Sequence, residues 1–194
     1  MIVGYDARNI FRNSSRLGDY CRELVATIAQ RHIGKGFQAM LYAPNMNGDY
    51  RTFFISNANV GTYKPKGKGM LASIVWHRFK LNPVLMDAKV KLYHGLNEEL
   101  PYGIGRDIKT VITCYGLHAH KSTSFIDSIV WRHRMRYAFR ASNIIVAVSD
   151  EVRDELVQAG VNEAKIRVIP MSADGTVGAA EADAYYAIYE QLVG

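Results

Sequence analysis

Three short stretches of this chain carry side chains that can do chemistry. In "YGLHAH", His118 and His120 present imidazoles, whose ordinary pKa of about 6.5 suits proton transfer near neutral pH or a hydrogen bond to a hydroxyl. An exposed loop histidine without a role is the competing reading of each. In "HGLNEELP", His94, Asn97 and Glu98 can hydrogen-bond hydroxyl groups, whereas the neighbours Glu98 and Glu99 point apart in regular structure and do not form an acid/base pair by adjacency. In "RNSSRLGDY", Arg16 can reach a phosphate with its guanidinium at a helix start. Asp19 in the same turn favours the helix but repels that anion. A turn and a helix start account for this stretch without any ligand.

The elements that must position these stretches are legible from period. "MIVGYDA" is an apolar run that suits a buried strand, and Leu17, Tyr20, Cys21, Leu24 and Ile28 then recur at helical spacing, so Gly18 to about His32 is a helix. "GKG" at Gly34–Gly36 stops it, and "FQAMLYAP" starts the next strand, completing a β-α-β unit. "TFFIS" at Thr52–Ser56 reads as a further strand, followed by a loose segment to Gly69 and a helical stretch over Leu71–Leu81 that Pro83 breaks or restarts. "VKLYHGL", "KTVITCY", "NIIVAVS" and "KIRVIP" are short β-branched runs with helical patterns between them, and Ser149 reads as the cap of the helix over "DEVRDELVQAG" in preference to a ligand contact. Alternation of this kind predicts one doubly wound, Rossmann-like parallel sheet in the α/β class, with helices on both faces. Such sheets hold ligands beyond the carboxyl ends of their strands, where "RNSSRLG", "HGLNEELP", "YGLHAH" and "SDE" would converge.

Composition bounds what those loops serve. A chain of 194 residues, 48% hydrophobic and 22% charged, is ordinary globular material for one domain, with no apolar run long enough to span a membrane and no apolar leader. The expectation is a cytoplasmic protein. Cys21 and Cys114 lack metal-ligand neighbours and read as buried thiols, so no metal site is expected. The net charge of +6 gathers in "YKPKGKG", a surface loop, and in "WRHRMRYAFR", where Ile126, Ile129, Val130, His133 and Tyr137 form the inward stripe of a helix and leave the arginines on other faces. Those arginines are a solvated face or an attraction for an anion, either a phosphate-bearing molecule or an acidic lipid surface at the inner face of the membrane. Nucleic acid is the remote alternative.

Taken in order, "GYDARNI", "RLGDYCREL", "KLYHGLNEELP", "KTVITCYGL", "RYAFRASNIIVAVSDEVRDEL" and "KIRVIP" resemble the N-terminal domain of a family 4 glycosyltransferase of the GT-B fold, over nearly all of Ile2–Pro170. The resemblance implies that this domain binds a sugar or glycolipid acceptor and that a second Rossmann-like domain binds most of the nucleotide-sugar donor. It also implies transfer in the cleft between them with retained configuration, the nucleotide sugar serving as substrate and no cofactor required. The family's first loop reads Thr-Gly-Ile-Gly-Arg-Tyr; here Gly18 and Tyr20 fit, while Arg16 replaces a glycine and Asp19 a basic residue. Arg16, Gly18 and Tyr20 are thereby the phosphate or donor contacts. After its fifth strand the family carries Thr-Ile-His-Asp-Leu, and this chain has Thr113, Cys114, Tyr115, Gly116 and Leu117. Neither member of the His-Asp pair is in place, so His118 becomes the catalytic candidate, with His94, Asn97, Glu98, Tyr115 and His120 toward the acceptor.

The family's glutamate pair is matched in spacing by Glu155 and Glu163, which we read as coincidence because they lack its Gly-rich context. Set against the resemblance, the expectation is that this chain carries no donor domain. The expected organisation is a Rossmann-like domain over residues 1–174, a Gly-containing link over 175–180, and a crossover helix over 181–194 whose stripe of Tyr185, Ile188, Tyr189 and Leu192 packs back on the domain. The functional expectation is the acceptor-binding half of a retaining glycosyltransferase, incomplete for catalysis by itself. The alternative is a non-catalytic or engineered Rossmann-like binding module.

Overall fold

A computed structural model describes residues 1–11, 15–46, 52–54, 56–65, 70–105, 107–117, 125–172 and 174–194. Seven parallel strands form one sheet: β1 (Ile2–Asp6), β2 (Gln38–Tyr42), β3 (Val60–Tyr63), β4 (Leu92–Gly95), β5 (Lys109–Cys114), β6 (Ile144–Ala147) and β7 (Ile166–Val168). Their order is β3-β2-β1-β4-β5-β6-β7, so the winding reverses between β1 and β4. The helices are α1 (Arg16–Arg31), α2 (Met70–Val75), α3 (Leu81–Asp87), α4 (Phe125–Ala141), α5 (Asp150–Gln158) and α6 (Ala179–Val193).

Strand alternation feeds two cores, one on each face of the sheet. Leu92, Val111 and Val146 enter a cluster with Leu24, Ile28, Tyr185 and Tyr189 beneath α1 and α6. Tyr93, Ile112 and Ile145 enter the other, with Leu81, Leu85, Ala138 and Leu156 from α3, α4 and α5. Burial on both faces is why these strands read as continuous apolar runs instead of alternating ones. The C-terminal helix packs on α1 and β4 with Tyr185 and Tyr189 fully buried, as the aromatic stripe predicts.

Three local expectations change. Thr52–Phe54 is a turn of 3₁₀ helix that buries Phe54, and the third strand is Val60–Tyr63. β3 is an edge strand whose residues are half or fully exposed, so it needs no apolar run and offers no signal for one. At its Gly61 a Cβ would sit 2.5 Å from the Met40 sulfur, near the flexible end of that side chain. The helix around Pro83 does not stop; α2 and α3 are joined by a π turn over Trp76–Lys80, and Pro83 falls in the first turn of α3, where a missing N–H costs least. Among the described side chains of α4, Met135 and Ala138 are buried, and Val130 and His133 are exposed. Arg134 and Tyr137 fill the inward face with polar contacts instead: Arg134 pairs with Glu99 at 3.1 Å, and the Tyr137 hydroxyl accepts from the Gly103 amide at 2.8 Å and donates to the Pro101 carbonyl. The side chains of Ile126 and Ile129 and the core of "YKPKGKG" lie outside the described residues.

Ser149 caps α5, its hydroxyl oxygen accepting from the Val152 amide at 3.3 Å. Ser149→Ala is expected to cost about 1 kcal/mol in a urea melt, with Ser149→Asp close to neutral. Cys21 and Cys114 are free and buried. Among the described residues no helix is long and apolar enough to cross a membrane.

Candidate functional site

Reversal of strand order places the expected ligand crevice beyond the carboxyl ends of β1 and β4. The chain itself fills much of it. Asp6, the last residue of β1, is fully buried and accepts from Arg8 through Nε at 2.9 Å and Nη2 at 2.6 Å. His77 approaches the same carboxylate with Nε2 at 3.2 Å. Arg8 reaches on to Glu99 at 2.9 Å, and Glu99 also takes Arg134. Burial opposes ionisation of Asp6 and Glu99, but Arg8 and His77 outweigh it and hold both carboxyls below the usual carboxylate range.

The loops after β4 and β5 are tied to one another. Gly95 allows the close turn that ends β4, where a Cβ would meet the Glu99 carbonyl at 2.4 Å. Glu98 then adopts a left-handed backbone, φ 59°, which aims its carboxylate at the amide of Tyr115, 2.7 Å away. Burial lifts the pKa of Glu98, and the bond from that amide opposes the rise. From the other side Glu155 accepts from the Leu117 amide at 2.8 Å. Two carboxylates thus clamp Tyr115–Leu117, and this segment forms a fixed rim rather than a free loop.

A third polar group lies beneath the rim. His94 has no exposed surface; its Nδ1 pairs with the Tyr189 hydroxyl at 2.7 Å and its Nε2 with the Thr113 hydroxyl at 2.8 Å. Thr113 continues to Tyr185, Tyr185 to Tyr20, and the Tyr20 hydroxyl donates to Glu181 at 2.6 Å. Burial pulls the pKa of His94 down to about 3, so the imidazole is neutral. This ladder fastens α6 to β4, β5 and α1.

The anticipated site residues therefore separate by depth. His94 and Tyr20 belong to the interior ladder, because α6 covers them, and Glu98 is a buried clamp. Gly18 is buried, and its amide donates to the Ser15 hydroxyl at 3.1 Å. Arg16 is exposed at the first position of α1, running past Gly175, while the charge of Asp19 is matched by an ion pair with Arg22. Asn97 and Tyr115 are half-buried on the rim, the Tyr115 ring set edge-on against Tyr20. His118 and His120 lie outside the described residues. Asp6, Arg8, His77 and Arg134 were not anticipated; only the charged Asp6 ending an apolar run, with Arg8 two residues on, offered a local signal. Among the described residues no group of three or more His, Cys, Asp or Glu side chains is placed to hold a metal ion.

The sequence model described as Glycosyltransferase Family 4 matches residues 22–174. Among solved structures, the chain is similar to HepE of Anabaena in complex with UDP and glucose, at 14% identity and TM-score 0.55 over 87% of this chain and 43% of that one. It is similar to a glycosyltransferase of Rickettsia africae at 13% identity and TM-score 0.56, over 97% and 49% of the two chains. A UDP-GlcNAc 2-epimerase of Neisseria meningitidis bound to UDP-GlcNAc matches at 15% identity and TM-score 0.54, over 98% and 50%. At such identities the likeness establishes the fold alone, and the chain spans about half the length of these structures. No curated protein matches it.

Proposed function

This chain belongs to Glycosyltransferase Family 4, and on that premise we propose that it is the acceptor-binding half of a retaining, nucleotide-sugar-dependent glycosyltransferase. The rim carries this reading. Tyr115–Leu117, clamped by Glu98 and Glu155, gives a preorganised edge on which Asn97 offers hydrogen bonds to acceptor hydroxyls, while the Tyr115 hydroxyl turns inward to the Cys21 sulfur at 3.6 Å and its ring backs the edge. Arg16 stands exposed at the N-terminus of α1, suited to a phosphate. His118 and His120 follow the clamped segment in sequence and supply the imidazoles the proposal needs, His118 for proton transfer and His120 toward the acceptor. UDP and UDP-GlcNAc in structures that share this fold support a nucleotide sugar as donor. The donor-binding domain would lie outside residues 1–194, with 175–180 as the link to a crossover helix at 181–194. A cytoplasmic protein working at the inner face of the membrane fits this assignment.

Titration of the isotope-labelled chain with sugar and glycolipid acceptors tests it. The amides of Asn97, Tyr115 and Leu117 are expected to shift on binding, and Asn97→Ala to weaken affinity roughly tenfold, about 1.4 kcal/mol. UDP and GDP are expected to bind no more tightly than about millimolar, near −4 kcal/mol. Micromolar UDP binding by this chain alone would show that the donor site resides here, and acceptors that perturb no rim amide would remove the acceptor assignment. The self-filled crevice at β1 and β4 favours one other reading, a non-catalytic binding module. That reading requires acceptor binding without transfer even when a donor-binding domain is supplied.

A further inference from the structure

A small cavity of about 10 Å³ lies where the π turn, the loop after β4 and α4 meet, lined by Arg78, Glu99, Leu100, Tyr102, Arg134 and Tyr137. Its walls are tied together. The Tyr102 amide donates to the Arg78 carbonyl at 2.8 Å, and the Tyr102 ring lies against Phe79 at 5.4 Å and Tyr137 at 4.7 Å between centroids. The charges on those walls are unevenly matched. Arg78 and Arg134 face a single lining carboxylate, and that carboxylate is shared: one Glu99 oxygen accepts from Arg134 at 3.1 Å, and the other pairs with Arg8 at 2.9 Å. Arg8 in turn is committed to Asp6 through Nε and Nη2.

Two donors are left over at this place. Arg78 Nη2 and Arg134 Nε are enclosed from solvent and have no hydrogen-bond partner among the described residues. An enclosed N–H without an acceptor is costly, more so on a charged group, and neither guanidinium has an acceptor to offer the other. An acceptor shared by the two satisfies both, and the surplus positive charge of the lining favours one that is negative. Space sets its size: about 10 Å³ is close to the room that one water-sized sphere needs, so a single atom enters and a whole phosphate or sulfate does not. Glu99 faces the same cavity and repels an anion, which limits affinity and disfavours more than one negative charge. We propose that Arg78 and Arg134 hold one monatomic monoanion of chloride's size, shared by their unpaired N–H groups. The ion would join the π turn to α4 and brace the loop that carries Asn97, Glu98 and Glu99. The inference does not rest on the transferase reading.

The test is chlorine NMR of the whole chain, titrated with sodium chloride at constant ionic strength against sodium methanesulfonate, whose anion is larger than the cavity. Saturable broadening of the chloride line is expected, reversed by bromide. Arg78→Met should weaken binding about tenfold or more, by removing one donor and the surplus charge together. Arg78→Lys keeps the charge but lacks the Nη2 donor, and should weaken it as well. Arg136→Met, at an exposed position on α4, should leave it unchanged. Thermal melts follow the fold in parallel. Arg78 is half-buried, and in chloride-free buffer Arg78→Met should melt no lower than the unmodified chain, whereas added chloride should raise the melt of the unmodified chain and not of the variant. Absence of saturable broadening, with a melt insensitive to chloride, overturns the inference and assigns the cavity to water. Equal binding by Arg78→Met, or an equal loss in Arg136→Met, overturns it in favour of diffuse attraction to the basic surface.

Discussion

Arg8→Met is expected to cost about 3–5 kcal/mol in a urea melt, because it strands a buried carboxylate. Asp6 has no exposed surface, and Arg8 supplies both side-chain bonds to it shorter than 3 Å. His77 remains at 3.2 Å but cannot replace a bidentate guanidinium. The Glu99 carboxylate loses one of its two ion-pair partners among the described residues at the same time and keeps Arg134. The double variant Asp6→Asn with Arg8→Met should be more stable than Arg8→Met alone, since the cost lies in the unpaired charge and not in the missing pair. The acid limb provides a second readout. With its pKa held below the unfolded value, Asp6 contributes stability that is complete above about pH 4 and lost as pH falls further. Arg8→Met should flatten that limb. A loss under 1 kcal/mol with an unchanged limb would mean that the ion pairs at the strand reversal contribute nothing to the fold.

Those ion pairs also mark the limit of what local sequence conveys. β1, β4, β5 and β6 are legible because each is covered on both faces and is therefore largely apolar, with few polar residues interrupting the run. β3 is hidden for the converse reason, since an edge strand with exposed side chains has no pattern to show. At the site, the rim position of Asn97 and Tyr115 follows from chain order, because loops after parallel strands meet at one end of the sheet. Depth does not follow. His94 and Asn97 are three residues apart in one motif, yet the first is enclosed by Tyr189 from α6, 95 residues later in the chain, and the second is not. Likewise the pairing of Arg8 with Glu99, and of Glu99 with Arg134, joins segments whose proximity only the folded sheet creates. Burial and long-range partners decide whether a polar side chain is available to a ligand, and both arise at the level of tertiary packing.

The ladder beneath the rim predicts an acid-sensitive fold. His94 is neutral in the native state because burial holds its pKa at about 3, whereas in the unfolded chain it titrates near the ordinary 6.5. Between those values the unfolded state binds a proton that the native state does not, so stability is highest above about pH 6.5 and falls as pH drops through the window. At about 1.4 kcal/mol per pH unit, this group alone removes roughly 3 kcal/mol between pH 7 and pH 4. Glu98 and Glu181, whose burial raises their pKa values, act in the opposite direction at the acid end, which makes the total curve a poor measure of His94. A variant isolates it. His94→Gln retains a donor and an acceptor for Tyr189 and Thr113 but cannot take up a proton near these pH values. It should be less stable than the unmodified chain at pH 7 by about 1–2 kcal/mol, through imperfect hydrogen bonds. That deficit should shrink and reverse by pH 4. Parallel stability curves for the two proteins over this range would show that His94 is already paired as an imidazolium, and the hydroxyl ladder fastening α6 would then need a different arrangement of protons.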